Sequence, residues 1–177
     1  MWLCKDSGWD WTAIAAVIAL GIWVADGLRR SRERAAARRL LAQVMTAPVG
    51  TAQIDIARFR TSVVPSTGDT TTLLGLTDSQ ALRRIFANKA YEIKVELPSQ
   101  FLEKADLFGE KTANRLAFAL SQTTRLHSAW KVASDVPDGG DERELHTHIQ
   151  AALEQIQETE KAIGEAFNAL MVDARAS

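Results

Sequence analysis

The stretch from Trp11 to Ala25, WTAIAAVIALGIWVA, runs fifteen residues without a charge and is followed almost at once by Arg29, Arg30, Arg32, Arg34, Arg38 and Arg39. A helix that is apolar on every side must be covered by protein or by lipid. The basic run on one flank fits a chain crossing a bilayer with its arginine side in the cytoplasm.

At ~1.5 Å per residue the run spans roughly 22 Å, short of a ~30 Å hydrocarbon core. The flanks supply the rest of the argument. Trp2, Trp9, Trp11 and Trp23 are four of the five tryptophans in the chain. An indole ring favours the headgroup level, where its body is apolar and its N–H stays hydrated. Asp10 and Asp26 fall at the two interfaces, and the arginines can snorkel or thin the bilayer locally. The expected anchor contacts are therefore Trp9, Trp11, Trp23, Arg29 and Arg30. Ala15 with Ala19, and Gly21 with Ala25, are small residues at one-turn spacing, the candidates for close contact between helices.

A cleaved secretory signal is a poor reading. Only Lys5 precedes the apolar run, against Asp6 and Asp10, and cleavage after Ala25 would put Trp23 at the −3 position, where a small residue is needed. The basic asymmetry instead predicts a short outside N-terminus and a cytoplasmic C-terminal part, in a bacterial inner membrane. The expected division is 1–28, tail and anchor, and 29–177, a single helical domain. No proline-rich or Ser/Gly-rich linker interrupts the second part, and it is long enough to bury its own core. Cys4 is the only cysteine, which excludes an internal disulfide or a cysteine metal site.

Along the chain, the anchor helix continues through Leu40, Leu41, Val44 and Met45 and is predicted to stop at Ala47-Pro48-Val49-Gly50. A second short helix follows, to about Val64-Pro65, and Ser66 to Thr72 reads as an exposed loop. Thr77 and Gln80 suggest a capping box opening a helix whose inner face is Leu82, Ile85 and Phe86. Tyr91 to Leu97 alternates like a half-buried strand, yet has no convincing partner strand, so helix or extended linker is preferred.

The last two segments give the clearest pattern. Leu102, Ala105, Gly109, Thr112, Leu116, Ala119, Thr123, Leu126, Trp130 and Ala133 recur at steps of three and four, broadened by Phe101, Phe108, Phe118 and Leu120. Val136-Pro137-Asp138-Gly139-Gly140 turns the chain. Asp141 and Glu144 then open a helix carrying Leu145, Ile149, Leu153, Ile156, Ile163, Phe167 and Leu170. Two matched stripes joined by a short turn predict an antiparallel hairpin, each arm roughly 45–55 Å long. The expected fold class is all-α: a single N-terminal transmembrane helix followed by a cytoplasmic antiparallel helical bundle with a long C-terminal hairpin.

The sequence carries no phosphate-binding glycine loop, dinucleotide fingerprint, zinc-protease motif or nucleophile elbow. His146 and His148 lie two apart, on different sides of a helix, so they do not share a metal. Asp135, Asp138, Asp141, Glu142 and Glu144 lack the ligand spacing of a calcium loop and suit a helix N-terminus. His127 reads as a satisfied boundary histidine. No enzymatic activity, cofactor or metal is expected.

The arginine cluster implies a lipid bilayer as partner, with anionic headgroups drawn to it at roughly 1 kcal/mol per arginine. Nucleic acid is not expected: Arg58, Arg60, Arg83 and Arg84 would have to extend the basic face, while the hairpin is acidic from Asp135 to Asp173. The reading is a membrane-tethered, non-enzymatic interaction or scaffold protein whose hairpin docks another copy or an unknown protein partner. The alternative is a membrane-acting effector that oligomerises or forms a pore. A pore wants polar residues along its span, and between Asp10 and Asp26 only Thr12 qualifies.

Overall fold

A computed structural model of the chain describes residues 11–65, 70–98 and 104–175, without the side chains of 11–14 and 105. The described elements are helical: α1 (Trp11–Val63), α2 (Thr71–Asp78), α3 (Gln80–Glu92), a 3₁₀ turn at Ala105–Leu107, α4 (Glu110–Asp135) and α5 (Glu142–Arg175). The chain divides into two compact units, Met1–Ala37 and Arg38–Ser177. The all-α class holds. The transmembrane part gains no support from the helices themselves, because none among the described residues is long and apolar enough to cross a membrane.

The second unit is an up-down four-helix arrangement of the C-terminal part of α1 with α3, α4 and α5. Pairings along the helices give their directions. Gly50 faces Phe167 while Arg60 pairs with Glu160, so α1 and α5 are antiparallel. Gln122 bonds Gln155 across α4 and α5, and Gln80 reaches Ser134 while Phe86 packs on Trp130, so α3 and α4 are also antiparallel. The predicted hairpin is present, with extensive contact between α4 and α5. With 26 and 34 residues, its arms are about 39 and 51 Å long, so the first is shorter than expected.

Its stripes are the ones read from the sequence. Thr112, Leu116, Ala119, Thr123, Leu126, Trp130 and Ala133 are buried on α4, and Leu145, Ile149, Ile156, Ile163 and Leu170 on α5. Leu153 and Phe167 are partly buried against the same core. The expected α4 stripe fails at its start, since the helix begins at Glu110 behind Gly109, and at Phe118, which is exposed. Leu102 and Phe101 lie outside the described residues. Phe59, Phe86 and Trp130 bring three helices together, with ring centroids 5.4 to 6.2 Å apart.

The predicted stop at Pro48 is overturned: α1 runs through it. Proline removes one N–H and crowds the preceding turn, at a cost of about 3 kcal/mol. Here Met45, Val49 and Ala52 on either side are fully buried and hold the backbone helical. Gly50 is not a terminator either. A Cβ at this position would lie 3.1 Å from Phe167 Cε2, so glycine lets α5 approach α1 closely.

Two further corrections concern the middle of the chain, where the preference for a helix or linker over a sheet is kept. Thr71 and Thr72 belong to α2 rather than to a loop, and residues 66–69 of the expected loop lie outside the described residues. The cap of α3 is Ser79, whose hydroxyl accepts from Leu82 N–H at 3.3 Å, while the Thr77 hydroxyl donates to Leu74 O. Residues 93–98 form no helix or strand, and the backbone leaves α3 extended at Ile93. Ile93 and Val95 point inward, while Glu92, Lys94 and Glu96 are exposed. This is strand-like alternation without a paired strand. His127 Nε2 lies 2.9 Å from Ile93 O and satisfies one carbonyl that a sheet would have bonded.

Candidate functional site

The N-terminal unit is where the apolar run and the arginines meet. Every residue from Ala15 to Arg34 is exposed, including the large apolar side chains Val17 (69%), Ile18, Leu20, Ile22, Trp23 (74%), Val24 and Leu28. At roughly 100° per residue these side chains fall all round the helix rather than on one stripe. Trp9 lies outside the described residues, as does the side chain of Trp11. Ala15, Ala19, Gly21 and Ala25 are all exposed. By the same helical geometry Ala15 and Ala19 share one face, and Gly21 and Ala25 lie about 120° away on another.

The arginines also ring the helix. Arg29 donates to Glu33 at 2.9 Å and Arg30 to Asp26 at 2.6 Å, both exposed pairs one turn apart. Arg32, Arg34, Arg38 and Arg39 pair with no carboxylate among the described residues. Within the N-terminal unit, Arg29 and Arg32 fall on one side of the helix and Arg30 and Arg34 on roughly the opposite side. A ring of cations suits a charged plane crossed by the helix. A polyanion lying along the helix would need the cations on one face.

Of the four basic residues that would have to extend this face, Arg84 is exposed and the other three are engaged within the bundle. Arg60 pairs with Glu160 of α5 at 3.1 Å, and Arg58 lies 3.9 Å from Asp55. Arg83 is fully buried, a position the sequence reading placed on the surface. Its guanidinium donates to Leu76 O and Val136 O, both at 2.8 Å, and lies 3.2 Å from the Asp138 carboxylate. One arginine thus caps the C-terminal ends of α2 and α4 together. Asp138 in turn accepts the Gln80 N–H at 2.6 Å, at the start of α3. The signal in the sequence is slight: Arg83, Phe86 and Ala90 share the three-four spacing and are buried, whereas Ile85, expected on the inner face, is exposed.

Groups with chemical potential are engaged structurally. His146 Nδ1 is 2.9 Å from Glu142 O, and His148 lies 3.5 Å from Glu144, each on its own turn of α5. Among the described residues no group of three or more His, Cys, Asp or Glu is arranged to hold a metal. An open cavity of about 360 Å³ between α1 and the end of α3 is lined by Asp55, Arg58, Phe59, Ser62, Lys89, Glu92 and Ile93. Its charges are mixed, and the Ser62 hydroxyl donates to Phe59 O at 2.7 Å rather than to a base. Comparison with known proteins finds no matching family model, no similar curated protein and no similar solved structure.

Proposed function

We propose that this chain is a membrane-tethered, non-enzymatic helical scaffold. Residues 11–25 seat in a bilayer, the N-terminus lies outside, and the helical bundle lies on the cytoplasmic side. The observation that carries the reading is the all-round exposure of Val17, Ile18, Leu20, Ile22, Trp23, Val24 and Leu28, followed by a ring of arginines. A soluble partner helix would cover one stripe, whereas lipid covers every side. The short apolar run calls for local thinning, and Arg32, Arg34 and Arg39 are free to engage anionic headgroups at that level. The bundle then serves to present a surface to another protein rather than to turn over a substrate.

The test is fractionation of the full chain carrying a reporter after Ser177. The chain should stay with membranes through an alkaline carbonate wash, and the reporter should behave as cytoplasmic. Release by carbonate overturns the tether; a reporter active only outside inverts the topology. The competing effector reading is separated with a potential-sensitive dye. A scaffold leaves the membrane potential intact on overexpression, whereas depolarisation lost in Ala19→Leu would make the protein a membrane-acting oligomer.

A further inference from the structure

α1 has a second face that the bundle does not use. From Leu40 to Ile54, LLAQVMTAPVGTAQI, fifteen consecutive residues carry no charge, although a chain 24% charged would place about four there. One side of this stretch, Leu41, Ala42, Met45, Val49 and Ala52, is buried in the core. The opposite side is exposed and keeps four-three steps: Leu40 (65%), Val44 (47%), Ala47, Thr51 and Ile54 (55%). Just beyond it an open depression of about 570 Å³ is lined by Ile54, Ala57, Arg58, Thr61 and Ser62.

We infer that this face packs against the same face of a second copy, in parallel and in register. The inference rests on the proposed tether, which gives every copy one orientation. Four-three spacing is the seam of a left-handed helix pair. An uncharged seam is also self-complementary, because a symmetric parallel pair sets each residue opposite its own copy and would oppose like charges. The seam closes at Arg58, where that repulsion begins.

Area selects the occupant. A face about 22 Å long and about 11 Å wide offers roughly 250 Å², a third of the ~800 Å² that each partner contributes to a standard interface. A partner arriving from dilute solution gains too little from such a face. Copies held in one plane meet at a raised effective concentration and need less.

Disulfide trapping in membranes tests this on the full chain. In a Cys4→Ser background, Thr51→Cys should form a copper-phenanthroline dimer at least tenfold more readily than Gln157→Cys, an exposed control on α5. Adding Ile54→Lys should bring the Thr51→Cys dimer down to the control level. Equal trapping at both sites, persistence with Ile54→Lys, or capture of a different polypeptide at Thr51→Cys overturns the inference. Carbonate extraction of the same samples reports the tether separately. Failure to trap dimers from a chain retained in the membrane removes this interface and leaves the scaffold reading standing; trapped dimers from a chain released by carbonate keep the interface and remove the tether.

Discussion

Two fifteen-residue runs of α1 lack charge, Trp11–Ala25 and Leu40–Ile54, and they differ in how their apolar residues are distributed. In the first, every described side chain is exposed and the large apolar ones point in all directions. In the second, one side is buried to 0–8% exposure while the other remains open. Absence of charge is common to both and does not separate a lipid-facing segment from a packed one. Under the proposed tether, angular distribution would, because a bundle covers a stripe and lipid would cover a circumference.

The comparison breaks most visibly at Ile56, which is fully buried on the inner side of α1. Ile56→Asp places an unpaired carboxylate in the core and should cost several kcal/mol against a domain stability of ~5–15 kcal/mol. Thermal melting followed by circular dichroism should lose its cooperative transition. A melt like that of the unaltered protein would mean that α1 does not belong to the bundle core.

Arg83 approaches the same question from the opposite side, as a charge that the interior already holds. Arg83→Ala strands the carbonyls of Leu76 and Val136, at about 1–3 kcal/mol for each buried group left unsatisfied. Arg84→Ala, on the neighbouring position, should change stability by less than ~0.5 kcal/mol. Equal effects in a denaturant titration would show that the Arg83 contacts contribute nothing to stability.

The smallest expected effect sharpens the contrast between the faces of one helix. Ile54→Asp, two positions from Ile56 but on the open side, should shift stability by under ~0.5 kcal/mol. A loss matching that of Ile56→Asp, read by the same melt on protein dilute enough to be monomeric, would mean that the outer face is already covered within a single copy.

The hairpin was legible because its apolar spacing persists over many turns, so one misplaced residue such as Phe118 cannot obscure the period. The middle of the chain was not. Pro48 and Gly50 read as a stop because local preference opposes a helix there, and what overrides it, the burial of Met45 and Val49 and the close approach of Phe167 to Gly50, depends on chain more than a hundred positions away. Thr77 reads as the cap from its spacing to Gln80, and only the path of α2, which takes Thr77 into its last turn, leaves the cap to Ser79. Arg83 reads from sequence as a surface cation, since the carbonyls that surround it belong to helix ends whose positions are set by the whole fold. Among candidate site residues, Trp23, Arg29 and Arg30 are exposed, and Arg29 and Arg30 pair with Glu33 and Asp26, while Arg32, Arg34 and Arg39 have no carboxylate partner among the described residues.

The exchange of caps around Arg83 and Asp138 ties together two corners far apart in the chain. The α2–α3 corner supplies the arginine that closes the end of α4, and the α4–α5 turn supplies the carboxylate that holds the first turn of α3. Opening either corner strands polar groups of the other, so the amide protons from Leu76 to Leu82 and those of Val136 and Asp138 should exchange with solvent at a common free energy. Hydrogen exchange would then report one opening for two stretches of chain 53 to 58 residues apart.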